Sequence, residues 1–266
     1  MRVIGLGDNV VDIYMQQNIM YPGGNAMNFA VYANFMGVKS AYMGMFGSDE
    51  AAEHVHSTAL KLGLDLSHCR YEEGENGYSC VDLQDGDRVF ASSNKGGVMK
   101  EYPLKLSRLD LEYLSEFDIV HTTMFSYVEQ EMPKLRQWCS FISMDFSNQF
   151  CREHLKTYCP YIDCACLSCS HMEEEDILIL MNEIMSAGCR YIVLATRGGK
   201  GAMVMVDGSL YRQSPCLIKA ADTMGAGDSF AARFLVSYCD GMEWARDFPE
   251  GSGDDGLTNL KEYQNS

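Results

Sequence analysis

The chain has 266 residues, 47% of them hydrophobic, enough for one large core that covers both faces of a sheet. Lys and Arg total 21 against 37 Asp and Glu; this formal charge of −16 leaves no basic stripe for a phosphate backbone and argues against nucleic acid as a partner. The opening residues lack the apolar stretch of a signal peptide, and no run nears the ~20 residues of a membrane span, so a cytoplasmic protein without membrane contact is expected.

In chain order, apolar runs at 1–6, 41–46, 118–121, 141–145 and 191–195 predict buried parallel strands. Helix-length segments at 25–36, 49–62 and 173–187 lie between them, each followed by a glycine (Gly37, Gly63, Gly188) suited to a left-handed cap. This alternation predicts a doubly wound α/β sheet in a single domain over 1–266. Two alternating runs, 78–84 and 88–93, flank Asp85-Gly86 and predict a β-hairpin. With the extended residues 11–21, the segment at about 77–98 makes a small antiparallel lid over a ligand cleft; an ordinary edge hairpin fits the same pattern. Eleven cysteines scattered through a long chain fit reduced thiols. Cys166 and Cys169, with Cys164 before them, have a metal-like spacing but no second pair of ligands, so buried packing is expected.

Chemistry concentrates at Asp222-Thr223-Met224-Gly225-Ala226-Gly227-Asp228, followed by a helical run. Small residues at Gly225, Ala226 and Gly227 let a tight turn aim its N–H groups at one point, and the helix adds its positive end: an anion hole. Asp228 then places a carboxylate within reach of a hydroxyl while a phosphoryl group sits on those N–H groups. A plain aspartate cap after a glycine loop is the competing account. Upstream, Gly23-Gly24-Asn25 opens a helix on which Asn25 and Asn28 lie one turn apart, with amides fit for sugar hydroxyls. Asp8 and Asp12 follow the first strand, where ligands gather in open α/β sheets. Gly5-Leu6-Gly7 lacks the third glycine of a dinucleotide fingerprint, and Gly198-Gly199-Lys200-Gly201 lacks the hydroxyl residue of a phosphate loop.

The 222–228 segment and Gly23-Gly24-Asn25-Ala26-Met27-Asn28 together resemble the paired signatures of the PfkB (ribokinase-like) carbohydrate kinase family. The resemblance covers about residues 1–242. It implies a ribokinase-like, mostly parallel sheet with helices on both faces and a small β lid. It implies ATP and Mg²⁺ as cofactors, and it marks the neighbourhood of Asp222 and Thr223 as the border of a monovalent-cation site. Asp228 becomes the catalytic base, and Asp8, Asp12, Gly24, Asn25, Asn28 and Arg88 the substrate contacts. Thr196, Gly198, Gly201 and Thr223 line the nucleotide, and Glu173 reaches the metal through water. Ser170 stands where the family's metal element carries asparagine. The texture of residues 7–14, 87–90, 97–99 and 118–121 is nearest to members that phosphorylate the 6-hydroxyl of fructoselysine and related fructosamines. Two alternatives stay open: another sugar or nucleoside kinase, and a ligand-binding protein of the same fold with weak or no turnover. The lid edge favours a homodimer. Residues 245–266 depart from the family, because Pro249 and the glycines at 251, 253 and 256 cannot build the helix that covers the adenine; an irregular tail is expected there.

Overall fold

The structure is a computed structural model that describes residues 1–84, 87–215 and 223–247, with side chains described for 1–81, 91–215 and 223–241. The strands are β1 (Arg2–Gly7), β2 (Val10–Tyr14), β3 (Ile19–Gly23), β4 (Lys39–Phe46), β5 (Arg70–Tyr71), β6 (Gly77–Gln84), β7 (Asp87–Ser93), β8 (Ile119–Thr123), β9 (Ile142–Asp145), β10 (Cys164–Ser168), β11 (Ile192–Thr196), β12 (Ala202–Val206) and β13 (Ser209–Gln213). The helices are α1 (Asn25–Phe35), α2 (Glu50–Lys61), α3 (Val98–Glu101), α4 (Arg108–Leu114), α5 (Met132–Trp138), α6 (Arg152–Tyr158), α7 (Glu174–Ser186) and α8 (Ala226–Asp247).

Nine strands form the main sheet in the order β13-β12-β11-β10-β9-β8-β1-β4-β5. From β11 through β5 neighbouring strands run parallel, and β12 and β13 close one edge as an antiparallel hairpin. The strands read as continuous apolar runs because both faces are covered, and alternate residues enter different cores. Val3, Ile119, Cys164, Cys166, Ile192 and Leu194 face α1 and α8. Ile4, Val120, Ala165, Leu167 and Val193 face the opposite layer, which includes α4, α5, α6 and α7. Each fully buried Leu or Ile in these layers contributes about 1.5–3 kcal/mol. Cys164 and Cys166 thus point together into one core, their sulfurs 3.9 Å apart, while Cys169 packs in the other. That opposition rules out their joint use as metal ligands, and the described cysteines are all free thiols.

The second, smaller sheet, formed by the segments expected to make a lid, is ordered β3-β2-β6-β7. Its outer pairs, β2–β3 and β6–β7, are antiparallel as expected, whereas the central β2–β6 pair is parallel because the chain builds α1, β4 and α2 between them. Gln84 pairs with Asp87, and the Asp85-Gly86 turn between them lies outside the described residues. A buried asparagine network ties this sheet to the body. Asn76 Nδ2 donates to Asn9 Oδ1 at 2.9 Å, Asn9 Nδ2 to Tyr42 Oη at 2.9 Å, and Asn94 Nδ2 to the Asn76 carbonyl at 2.7 Å. Among the described residues no helix is long and apolar enough to cross a membrane. The tail segment 248–266 lies outside the described residues.

Candidate active site

Parallel strands bring their carboxyl ends to one edge, and β1, β8, β9 and β10 deliver Asp8, Thr123, Asp145 and Ser168 there. Helix α1 begins at this edge. Its cap position is Gly24, which has no side chain to accept from the first turn. Asp8 supplies the missing acceptor: Oδ2 takes the N–H of Asn25 at 2.7 Å and Oδ1 that of Ala26 at 3.3 Å. Oδ1 also accepts from Thr123 Oγ1 at 2.7 Å and Ser126 Oγ at 3.1 Å. A carboxylate has about two acceptor sites on each oxygen; three of these donors share Oδ1, and Asn25 is the one named on Oδ2. Buried Asp8 thus holds α1 against β1 and β8, and it does so at the strand edge where it was expected to meet a substrate hydroxyl.

Asn25 and Asn28 sit one turn apart on α1, each donating its amide to a different carboxylate. Asn25 Nδ2 reaches Asp145 Oδ2 at 3.0 Å, and Asn28 Nδ2 reaches Asp228 Oδ2 at 2.7 Å. With each nitrogen committed to an acid, each Oδ1 is left to accept from another group. Phe29, next on the helix, stacks on His121 at 4.3 Å, and His121 Nδ1 meets Ser143 Oγ at 2.5 Å. Burial lowers the His121 pKa to about 3, so this floor is neutral.

Asp228 lies in the first turn of α8. The Ala226 N–H bonds the Thr223 carbonyl at 3.2 Å and the Ser229 N–H bonds the Gly225 carbonyl at 2.9 Å. Gly227 and Asp228 follow in the first turn, where a helix presents its N–H groups to an anion. The turn expected to form the anion hole, Gly225 to Gly227, stands here at the start of α8, with the Ala226 N–H bonded back to Thr223. Ser168, at the end of β10, has its hydroxyl 4.0 Å from where a β-carbon on Gly227 would lie.

Burial pushes the Asp228 carboxyl up to about 7, the charges of Asp145, Asp8 and Asp12 add to the rise, and the Asn28 amide opposes it. Asp145 rises to about 6, mainly through burial, against bonds from the Ser147 N–H and Asn25. The partners of Asp8, Asp145 and Asp228 among the described residues are neutral donors, so repulsion between the acids goes uncompensated.

Asp12 is buried in β2, its carboxylate lying over Gly23. Arg88 belongs to β7, opposite Leu83 of β6, and its side chain lies outside the described set, as does Asp222. On the far side, Thr196 ends β11 with its hydroxyl on the Leu167 carbonyl at 3.2 Å. Gly198 passes Ser170, and Gly201 packs against β13. Arg197 pairs with Glu174 at 3.2 Å, and Lys200 with Glu173 at 3.6 Å. Glu173 stands at the position before α7, makes no side-chain cap bond and is mostly exposed. Thr223 is exposed at the start of the α8 turn. Asp145, Thr123, Ser126 and Ser168 were not singled out in the sequence; the available signal was their common place at or just past strand ends.

Residues 1–248 match the model of the pfkB family carbohydrate kinases. Fructosamine kinase FrlD of Bacillus subtilis is 38% identical over 242 residues, covering 90% of this chain and 84% of the relative. Fructoselysine 6-kinase of Escherichia coli is 32% identical over 247 residues, 93% of each chain. Among solved structures, ribokinase from Giardia lamblia superposes with a TM-score of 0.81 at 15% identity, covering 97% of this chain and 88% of that one. Arabidopsis thaliana ribokinase complexed with ribose and ATP gives 0.69 at 21%, covering 90% and 86%. A match spanning nearly the whole chain, on a fold that joins the α1 and α8 signatures in one site, makes this protein a member of the pfkB family of carbohydrate kinases.

Proposed function

We propose that the chain transfers the γ-phosphoryl group of ATP to the 6-hydroxyl of a fructosamine such as fructoselysine. The relatives above favour this substrate, and the Asn28–Asp228 pair at the start of α8 carries the chemistry. The substrate oxygen attacks the γ-phosphorus, its proton passes to Asp228, and the bond to the β,γ-bridging oxygen breaks to release ADP. The N–H groups of Gly227 and Asp228 take up charge on the transferring group. Asn25 and Asn28 offer carbonyl oxygens to sugar hydroxyls, Asp12, Gly24 and Arg88 approach from the lid side, and lid closure excludes water.

Mg²⁺ neutralises phosphate charge when bound. Among the described residues no group of three His, Cys, Asp or Glu forms a metal cage, and Glu173, exposed and beside Lys200, fits a water-bridged contact to a phosphate-borne ion. Thr196, Gly198, Gly201 and Thr223 form the nucleotide side, and a monovalent cation near Asp222 completes it. Exposed Met15, Ile19 and Tyr21 on the lid favour pairing with a second copy, and free thiols suit a cytoplasmic location.

The test is ADP release from Mg·ATP with fructoselysine, other fructosamines, fructose, ribose and nucleosides. Turnover confined to ribose or nucleosides overturns the substrate. A second reading, sugar binding without turnover, draws on Ser170 in the metal element; it predicts thermal stabilisation by sugar with no ADP from any acceptor.

A further inference from the structure

Residues 25, 28 and 32 fall on one face of α1, since steps of three and four residues return to the same side of a helix. Asn25 holds Asp145, and Asn28 holds Asp228. Tyr32, half-buried, reaches the next feature along, the turn that feeds the anion hole. A β-carbon on Gly225 would overlap the Tyr32 hydroxyl outright and lie 3.2 Å from ring carbon Cζ. Gly225 has φ +70, a conformation that side chains disfavour, and its carbonyl accepts the Ser229 N–H at 2.9 Å. The phenol thus lies directly against the turn on the side that faces α1.

We infer that Tyr32 is a positioning residue for phosphoryl transfer: its ring and hydroxyl brace Gly225, and through it fix where the Gly227 and Asp228 N–H groups point. Helix α1 then works as a ruler with three marks, setting Asp145, the base and the anion hole from one rigid element that Asp8 anchors to β1. Burial and the nearby Asp228 both raise the Tyr32 pKa, so the brace is a neutral phenol over the working range. The inference rests on the reading that the start of α8 receives the γ-phosphoryl group.

Two readouts test it, one independent of turnover. Tyr32→Ala is expected to lower kcat by about 10- to 100-fold, the scale of a small misplacement of catalytic groups, with KM for the sugar within about 2-fold. Gly225→Ala is expected to lose activity, and Tyr32→Phe, which removes the clashing hydroxyl, to restore part of it in the double variant. In calorimetry, Tyr32→Ala is expected to weaken a non-hydrolysable ATP analogue while leaving ADP affinity unchanged, which general destabilisation does not do. Parental kcat in Tyr32→Ala, additive losses in the double variant, or equal weakening of analogue and ADP each overturns the brace. If the parent gains nothing from the γ-phosphoryl group of the analogue, the phosphoryl site itself is misplaced and the brace falls with it.

Discussion

Asn28 donates its side-chain amide to Asp228 at 2.7 Å across 200 residues of sequence, joining the first helix of the chain to the last described one. The bond orients the carboxylate proposed as the base through one of its two oxygens. Asp228→Asn keeps the shape and removes the base. A fall in kcat of about 10²- to 10⁴-fold is expected, with nucleotide affinity retained. Turnover within a few-fold of the parent would remove Asp228 from its role.

The acid limb of kcat/KM is expected near pH 7, where the buried carboxyl of Asp228 loses its proton. Rates rise with pH through this region because the unprotonated form is the base. Asp145→Asn removes a raising charge and moves the limb to lower pH; Asn28→Ala removes the lowering bond and moves it higher. Shifts in the same direction from both variants would contradict the electrostatic account.

The same perturbation has a stability consequence. Asp228 titrates at about 7 in the folded protein against 3.8 as an ordinary side chain, so its folded state prefers the proton. Its contribution is full below pH ~4 and drains away as pH rises through about 7. Asp228→Asn, which cannot ionise, is expected to melt several degrees above the parent at pH 8 and to converge with it near pH 4. A difference independent of pH would refute the linkage.

Asp163 tests the scaffold without touching the site. Fully buried, it accepts from Arg136 Nη1 at 2.5 Å, Arg190 Nη1 at 3.2 Å and the Ile142 N–H at 2.8 Å. Asp163→Ala strands two arginines and an amide, and a loss of about 3 kcal/mol is expected in chemical denaturation. The pH limb of the folded fraction should stay in place.

Local patterns were legible in the sequence and solitary residues were not. The glycine turn before Asp228, the Gly24-Asn25 helix start and the hairpin around Asp85 each advertise a conformation within a few residues. Strand β10 went unnoticed because its alternating cysteines looked like a thiol cluster, although Cys164 and Cys166 face one core and Ala165 and Leu167 the other. Asp145 sits at the end of a short strand with no neighbouring motif, and only the parallel β8–β9–β10 pairing brings it to the cleft. Tyr32 belongs to no chemical motif in the sequence, and only the packing of α8 across α1 sets it against Gly225. The parallel β2–β6 pair was hidden because about sixty residues separate its partners.

Strand β1 lies inside the main sheet, and the chain adds β4 and β5 on one side and β8 through β13 on the other. The acid of α8 therefore follows every described strand in the chain. With Asp228 as the proposed base, docking of α8 onto α1 is what completes the site.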